Sequence, residues 1–183
     1  RVIALVNDAI HSLKRRGADY ADVRWVEELH EEIIVQNAQL QHVSTSTSEG
    51  ASIRVLYRGA WGYAASSRLD GPGLAHTAEQ AIEMAKAVAL ANQPKALFPS
   101  HQPVQASYET PLQVDPFGVE LQKKLDYLMW ANQVLKDHPN IKTATCSLSF
   151  DRTEKLFVSS EGSVIQQAIT ESGGMLEAIS ILG

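Results

Sequence analysis

Val2, Leu5, Val6, Ala9, Ile10 and Leu13 recur at the three-and-four spacing of one helix face. Lys14, Arg15 and Arg16 fill the last turn and Gly17 stops it. The period then drops to two. Ala21, Val23 and Trp25 alternate with Asp22 and Arg24, and the β-branched stretch from Glu32 to Val35 continues the strand. Asn37-Ala38 reads as a turn and Leu40 to Ser46 as the return strand. Ser48-Glu49-Gly50 reads as a break. Ala51, Ile53, Val55 and Tyr57 alternate again, Arg58-Gly59 turns the chain, and Trp61, Tyr63 and Ala65 form a further strand.

After the loop at Asp70-Gly71-Pro72-Gly73, Leu74, Ala78, Ala81, Ile82, Ala85, Val88 and Ala89 predict an amphipathic helix with a small-residue face. From 93 to 115 five prolines, counting Pro116 at the boundary, punctuate a segment without period: a linker or an extended arm. Asp115 and Pro116 open a third helix as cap and first residue, with Leu121, Leu125, Leu128 and Leu135 on its buried face. Ala144, Cys146, Leu148 and Phe150 then alternate, Asp151-Arg152 reads as a turn, and Leu156 to Val158 return. Ser160-Glu161-Gly162 breaks the run, Val164 to Ile169 form another strand, and Gly173-Gly174 turns into a last one, Met175 to Ile181.

The pattern predicts an α+β fold: two helix-plus-antiparallel-sheet halves with the order of a duplication, joined by a Pro-rich linker. The expected domains are 1–92, a linker at 93–115, and 116–183. The chain starts without Met and stops inside an alternating stretch, so it reads as part of a longer polypeptide.

Composition narrows the function. At 183 residues, 44% apolar and 20% charged, the chain can bury a core without cross-links. A net charge of −5 supplies no basic footprint, so no direct nucleic-acid partner is expected. No apolar run is long enough for a membrane-spanning helix, and the start has no signal-peptide pattern, so no membrane partner is expected. The lone Cys146 agrees with a reducing, cytoplasmic setting.

Candidate chemistry is sparse. His30-Glu31-Glu32 invites a metal reading, yet Ile34 and Val35 stand where a second helical His would fall, and a solvated strand is the simpler reading. His11, His42, His76, His101 and His138 are scattered. Cys146 sits in an apolar alternation and reads as a small buried hydrophobe rather than a nucleophile. The hydroxyl run Ser44 to Ser48 has no nucleophile-elbow pattern. Gly59-Ala60-Trp61-Gly62 reads as a tight hairpin rather than a phosphate cradle. Trp25, Trp61 and Tyr63 read as core, with a peptide groove as the alternative. The edge of the meander is a place where an extended peptide could add as a strand. No catalytic, cofactor-binding or metal residue is therefore assigned within the chain.

Four segments carry a resemblance. They are Gly17-Ala18-Asp19-Tyr20-Ala21-Asp22-Val23-Arg24; Gly50-Ala51-Ser52-Ile53-Arg54-Val55-Leu56 with Gly59-Ala60-Trp61-Gly62-Tyr63-Ala64-Ala65-Ser66-Ser67; Val114-Asp115-Pro116-Phe117 with Lys124; and Phe157-Val158-Ser159-Ser160-Glu161-Gly162-Ser163. In this order they resemble the N-terminal and central regions of the TldD/PmbA family, also described as modulators of DNA gyrase. The resemblance implies a zinc metallopeptidase acting on small or unfolded peptides. Its zinc would be held by a His-Glu-x-x-x-His motif beyond this chain, with water activated there and no ligand inside residues 1–183. It also implies assembly as a homodimer or a TldD/PmbA-type heterodimer around a cavity. Asp115-Pro116-Phe117 and Ser160-Glu161-Gly162-Ser163 lean towards the TldD-like branch. The competing readings are a metal-free PmbA-like partner or regulatory module, and an independent Cys or Ser hydrolase.

Overall fold

A computed structural model describes residues 2–91, 94–98 and 102–181. Pro99 and His101 fall outside them. The elements are α1 (Val2–Arg15), β1 (Tyr20–Gln36), β2 (Gln39–Tyr57), β3 (Ala60–Ser66), α2 (Gly71–Leu90), β4 (Gln105–Glu109), a 3₁₀ turn (Pro116–Gly118), α3 (Leu121–Lys136), β5 (Ile141–Ser159) and β6 (Val164–Ser180). The strands follow the order β3-β2-β1-β5-β6-β4 in a six-stranded sheet. The fold is α+β, as the pattern predicts. The sheet is mixed: β2 and β3 pair antiparallel, whereas β4 runs parallel to β6, with Gln105 opposite Val164 and Glu109 opposite Ala168. β4 lies within the segment expected to be linker.

Two compact units form from interleaved stretches of chain. The first comprises Arg1–Glu27, Ser48–Glu109 and Glu154–Ala168. Its α1 buries Val6, Ala9, Ile10 and Leu13. The helix ends in a Schellman motif: Gly17 N–H donates to Lys14 O (3.0 Å) and Ala18 N–H to Leu13 O (3.2 Å). Gly17 takes φ +88°, open to glycine without a Cβ penalty. Asp70 caps α2 by accepting the Gly73 N–H (2.7 Å). That bond, with Arg68 beside it, holds the Asp70 carboxyl below the usual carboxylate range. The small face of α2, with Ala78, Ala81 and Ala85, lets β3 approach closely at Gly62.

The second unit comprises Glu28–Thr47, Thr110–Thr153 and Ile169–Gly183. Ile33 and Val35 of β1 and Cys146 of β5 pack under Leu128 and Ala131 of α3. Here β1 and β2 are joined by the expected two-residue turn. Asn37 (φ +50°) and Ala38 (φ +61°) both have left-handed backbone, the geometry that matches strand twist in a hairpin. Such a conformation at Ala38 costs on the order of 1 kcal/mol. Hydrogen bonds hold it there: Ala38 N–H donates to Asn132 Oδ1 (2.7 Å), and Ala144 N–H donates to Asn37 Oδ1 (3.1 Å). Fully buried Asn132 also donates to Ala144 O (2.9 Å).

Several expected breaks are continuous strand. Ser48-Glu49-Gly50 lies inside β2, Asp151-Arg152 inside β5 and Gly173-Gly174 inside β6, whereas Ser160-Glu161-Gly162 is a true break with Gly162 at φ +98°. Asp115 and Pro116 start the 3₁₀ turn instead of α3, which begins at Leu121. Leu121 itself is exposed, and the buried α3 positions include the polar Lys124 and Asn132.

Candidate functional site

Strand alternation sends the His30-Glu31-Glu32 run to opposite faces of β1. Glu31 meets α3, where the almost fully buried Lys124 donates to Glu31 Oε1 (2.5 Å) and lies 4.6 Å above the Phe150 ring. The pairing answers the cost of burying a lone ammonium. Beside it Arg152 donates to Asp115 Oδ1 (2.7 Å) and stacks over Phe117 at 4.9 Å, while Phe117 meets Phe150 edge-on at 6.4 Å. The Arg152 bond keeps the Asp115 carboxyl below its ordinary range. Asp115, Phe117 and Lys124, spread along one sequence segment, thus act together to seat the start of α3 on β1 and β5.

On the other face His30 Nδ1 lies 2.7 Å from Asp151 Oδ1, and His42 Nε2 lies 3.8 Å from Glu32 Oε2. Their side chains are 39–49% exposed. These are separate two-member pairs, and among the described residues no group of three His, Cys, Asp or Glu could hold a metal. The residues described do not fit a zinc centre. Ser44 Oγ is 3.0 Å from His42 Nε2, the same nitrogen that faces Glu32. A hydrolytic triad uses the two ring nitrogens separately, one for the nucleophile and one for the orienting carboxylate, so this contact is no relay. Cys146 is fully buried, its Sγ accepting from Asn132 Nδ2 at 3.6 Å. His11, His76 and His138 lie exposed on or beside helices.

Trp25 belongs to the core of the first unit. It also lines an open cavity of about 400 Å³ with Ile3, Tyr108, Leu156 and Gln167. Tyr63 is exposed. Trp61 joins a cluster that sequence reading misses. Asp22, fully buried, accepts from Arg54 Nη2 (2.6 Å) and Nε (3.0 Å), and the Arg54 guanidinium sits 5.4 Å over the Trp61 ring. Tyr20 lies 6.0 Å from Trp61 and 4.1 Å from Phe98. Burial first, then the Asp22 carboxylate, push the Tyr20 phenol well above its ordinary pKa, so it stays protonated. The paired spacing of Asp22 and Arg54 on neighbouring strands carries no signal in sequence. Their presence in two of the resembling segments does.

Open backbone edges accompany these clusters. β3 pairs with β2 only from Ala51 to Tyr57, and β4 pairs with β6 only from Val164 to Ala168. In the second unit, the 39–47 stretch of β2 and the 169–180 stretch of β6 therefore present outer edges that no described strand covers. An uncovered edge is a row of amide donors and carbonyl acceptors that takes up an extended chain irrespective of its side chains.

The described residues thus form an α+β module with open strand edges. Residues 21–85 match the family model described as PmbA/TldA metallopeptidase domain 1. Among curated proteins, a metalloprotease of Methanocaldococcus jannaschii is 24% identical over 152 residues, covering 83% of this chain and 34% of its own length. A metalloprotease of Synechocystis is 26% identical over 152 residues, covering 82% and 32%. The fold matches TldE from Thermococcus kodakarensis with a TM-score of 0.73 at 18% identity, over 98% of this chain and 40% of that one. It also matches a candidate modulator of DNA gyrase from Bacteroides thetaiotaomicron with a TM-score of 0.75 at 12% identity, over 97% and 41%. Residues 21–85 thus match the first domain of PmbA/TldA metallopeptidases, and the chain as a whole is similar to proteins of that kind. It spans about a third of the length of the curated relatives it matches.

Proposed function

We propose that this chain is the non-catalytic front part of a TldD/PmbA-type metallopeptidase. In this reading it positions small or unfolded peptides and helps form a two-chain assembly around the substrate cavity, in the cytoplasm. Zinc and the groups that activate water are supplied by polypeptide outside these residues. The observation that carries the reading is the pattern of coverage: more than four fifths of this chain aligns with two metalloproteases, and it accounts for only a third of each. The open edges of β2 and β6 support the positioning role. Strand addition reads main chain, so it favours unfolded substrates over folded ones without requiring a sequence motif.

The reading predicts a main-chain signature in the substrate. A peptide N-methylated at alternate residues, away from the bond to be cut, loses every hydrogen bond it could donate to one edge. Hydrolysis by the complete polypeptide should then show KM raised roughly tenfold or more, as several hydrogen bonds of about 1 kcal/mol each are lost. Methylation on the opposite register should have a small effect. Equal KM for both registers and for the unmethylated peptide would show that substrate does not add to an edge.

A further inference from the structure

α3 is apolar on two sides. One side buries Leu128 and Ala131 against the sheet. The other leaves Tyr127, Trp130 and Val134 exposed by 59%, 62% and 54%, with the Tyr127 and Trp130 rings 5.8 Å apart. Tyr and Trp gathered on an exposed helix face are the residue types that dominate protein interfaces. The charges around them show what fits. Lys123 and Asp137, both exposed, stand seven residues before and after Trp130. Seven residues are two turns short by about 20°, so the three lie on one line along the helix, about 10 Å apart.

We propose that this face of α3 is a two-fold contact with the α3 of a second copy of this chain, the helices antiparallel and crossing at Trp130. The proposal rests on the two-chain assembly put forward above and assigns a surface to it. A two-fold axis beside Trp130 sets Lys123 of one copy against Asp137 of the other at both ends. The same operation faces Tyr127 with Val134 on one flank of the line, and Asp126 with Gln133 on the other. Trp130 thus meets its own copy at the axis, and the residues around it meet complements: charge with opposite charge, ring with aliphatic, carboxylate with amide. A parallel pair would place Lys123 on Lys123 and Asp137 on Asp137, which opposes that orientation. Asp126 and Asp137 each accept from a glutamine one turn earlier, Gln122 at 2.8 Å and Gln133 at 2.9 Å, which holds their carboxylates on the helix surface.

The test is sedimentation equilibrium of the complete polypeptide. Trp130→Glu, at an exposed site that leaves folding intact, should weaken self-association at least a hundredfold. Lys123→Asp should weaken it roughly tenfold by creating two like-charge contacts. Lys123→Asp combined with Asp137→Lys should restore the wild-type constant. Two results would overturn the proposal, and they differ. A wild-type polypeptide that stays monomeric removes the assembly itself. A wild-type dimer whose constant all three variants leave unchanged keeps the assembly and removes α3 from its interface.

Discussion

Gly62→Ala is expected to lower stability by about 3 kcal/mol, near the upper end of overpacking penalties. A Cβ at this position would lie 2.0 Å from the Ala81 carbonyl oxygen and 2.5 Å from the Ala85 nitrogen. Both obstacles are α2 backbone, so no side chain can swing aside, and β3 and α2 must separate by more than an ångström. The contact is possible because α2 offers Ala78, Ala81 and Ala85 to the sheet. Urea unfolding measures the loss as a lowered midpoint. Gly71→Ala is the matched control. Its Cβ would meet only Leu5 Cδ2 at 3.8 Å, an ordinary contact, so stability should hold or rise slightly. Equal midpoints for the two variants would show that β3 and α2 are not packed this closely.

Asp22→Ala is expected to cost about 3 kcal/mol, the lower end for breaking a buried ion pair. Asp22 is fully buried and accepts three hydrogen bonds from Arg54, and Arg24 Nε lies 3.6 Å from its Oδ1. Removing it leaves Arg54 facing Tyr20 and Trp61 without its carboxylate. The Arg54 side chain is 37% exposed, so water recovers part of its solvation and keeps the loss from being larger. The apolar double variant Asp22→Leu/Arg54→Met should regain most of the stability, because it removes the unpaired charge along with the pair. A double variant no more stable than Asp22→Ala would mean that packing, rather than the stranded charge, sets the cost.

What the sequence reveals and hides follows from the range of each interaction. The α1 terminus and the turns at Asn37-Ala38 and Arg58-Gly59 are decided within six residues and stand as the pattern predicts, whereas the expected loop at Asp70-Gly71-Pro72-Gly73 is the cap and first turn of α2. The false breaks are local signals overruled by strand neighbours. Gly173 looks like a turn residue, yet a Cβ there would sit 2.8 Å from Ser149 Oγ, so it is a site of close approach between β6 and β5. Asp151 and Arg152 look like a turn because both are polar, but each has a distant partner, His30 and Asp115. Lys124 and Asn132 interrupt the leucine pattern of α3 because their partners lie 93 and 94 residues away in the chain. β4 hides among prolines because a five-residue strand in parallel register with β6 needs no alternation of its own.

The candidate site is legible only in outline. The resembling segments point to the family, and the structure explains three of them physically: Asp22 pairs with Arg54, Lys124 with Glu31, and Asp115 with the Arg152 that stacks on Phe117, and these contacts seat strands and helix. They are scaffold. The free backbone edges of β2 and β6 have no residue signature, since any sequence that extends supplies the same donors and acceptors.

The central claim is that this chain guides substrate while the metal chemistry lies elsewhere in the polypeptide. Zinc per chain, measured by elemental analysis on residues 1–183 and on the complete polypeptide side by side, tests it most directly. The account predicts close to one zinc per complete chain and none in the 183-residue piece. Zinc bound by the piece would contradict it, placing a metal site among the histidines of this chain. Zinc in neither would contradict it differently, leaving a metal-free PmbA-like partner.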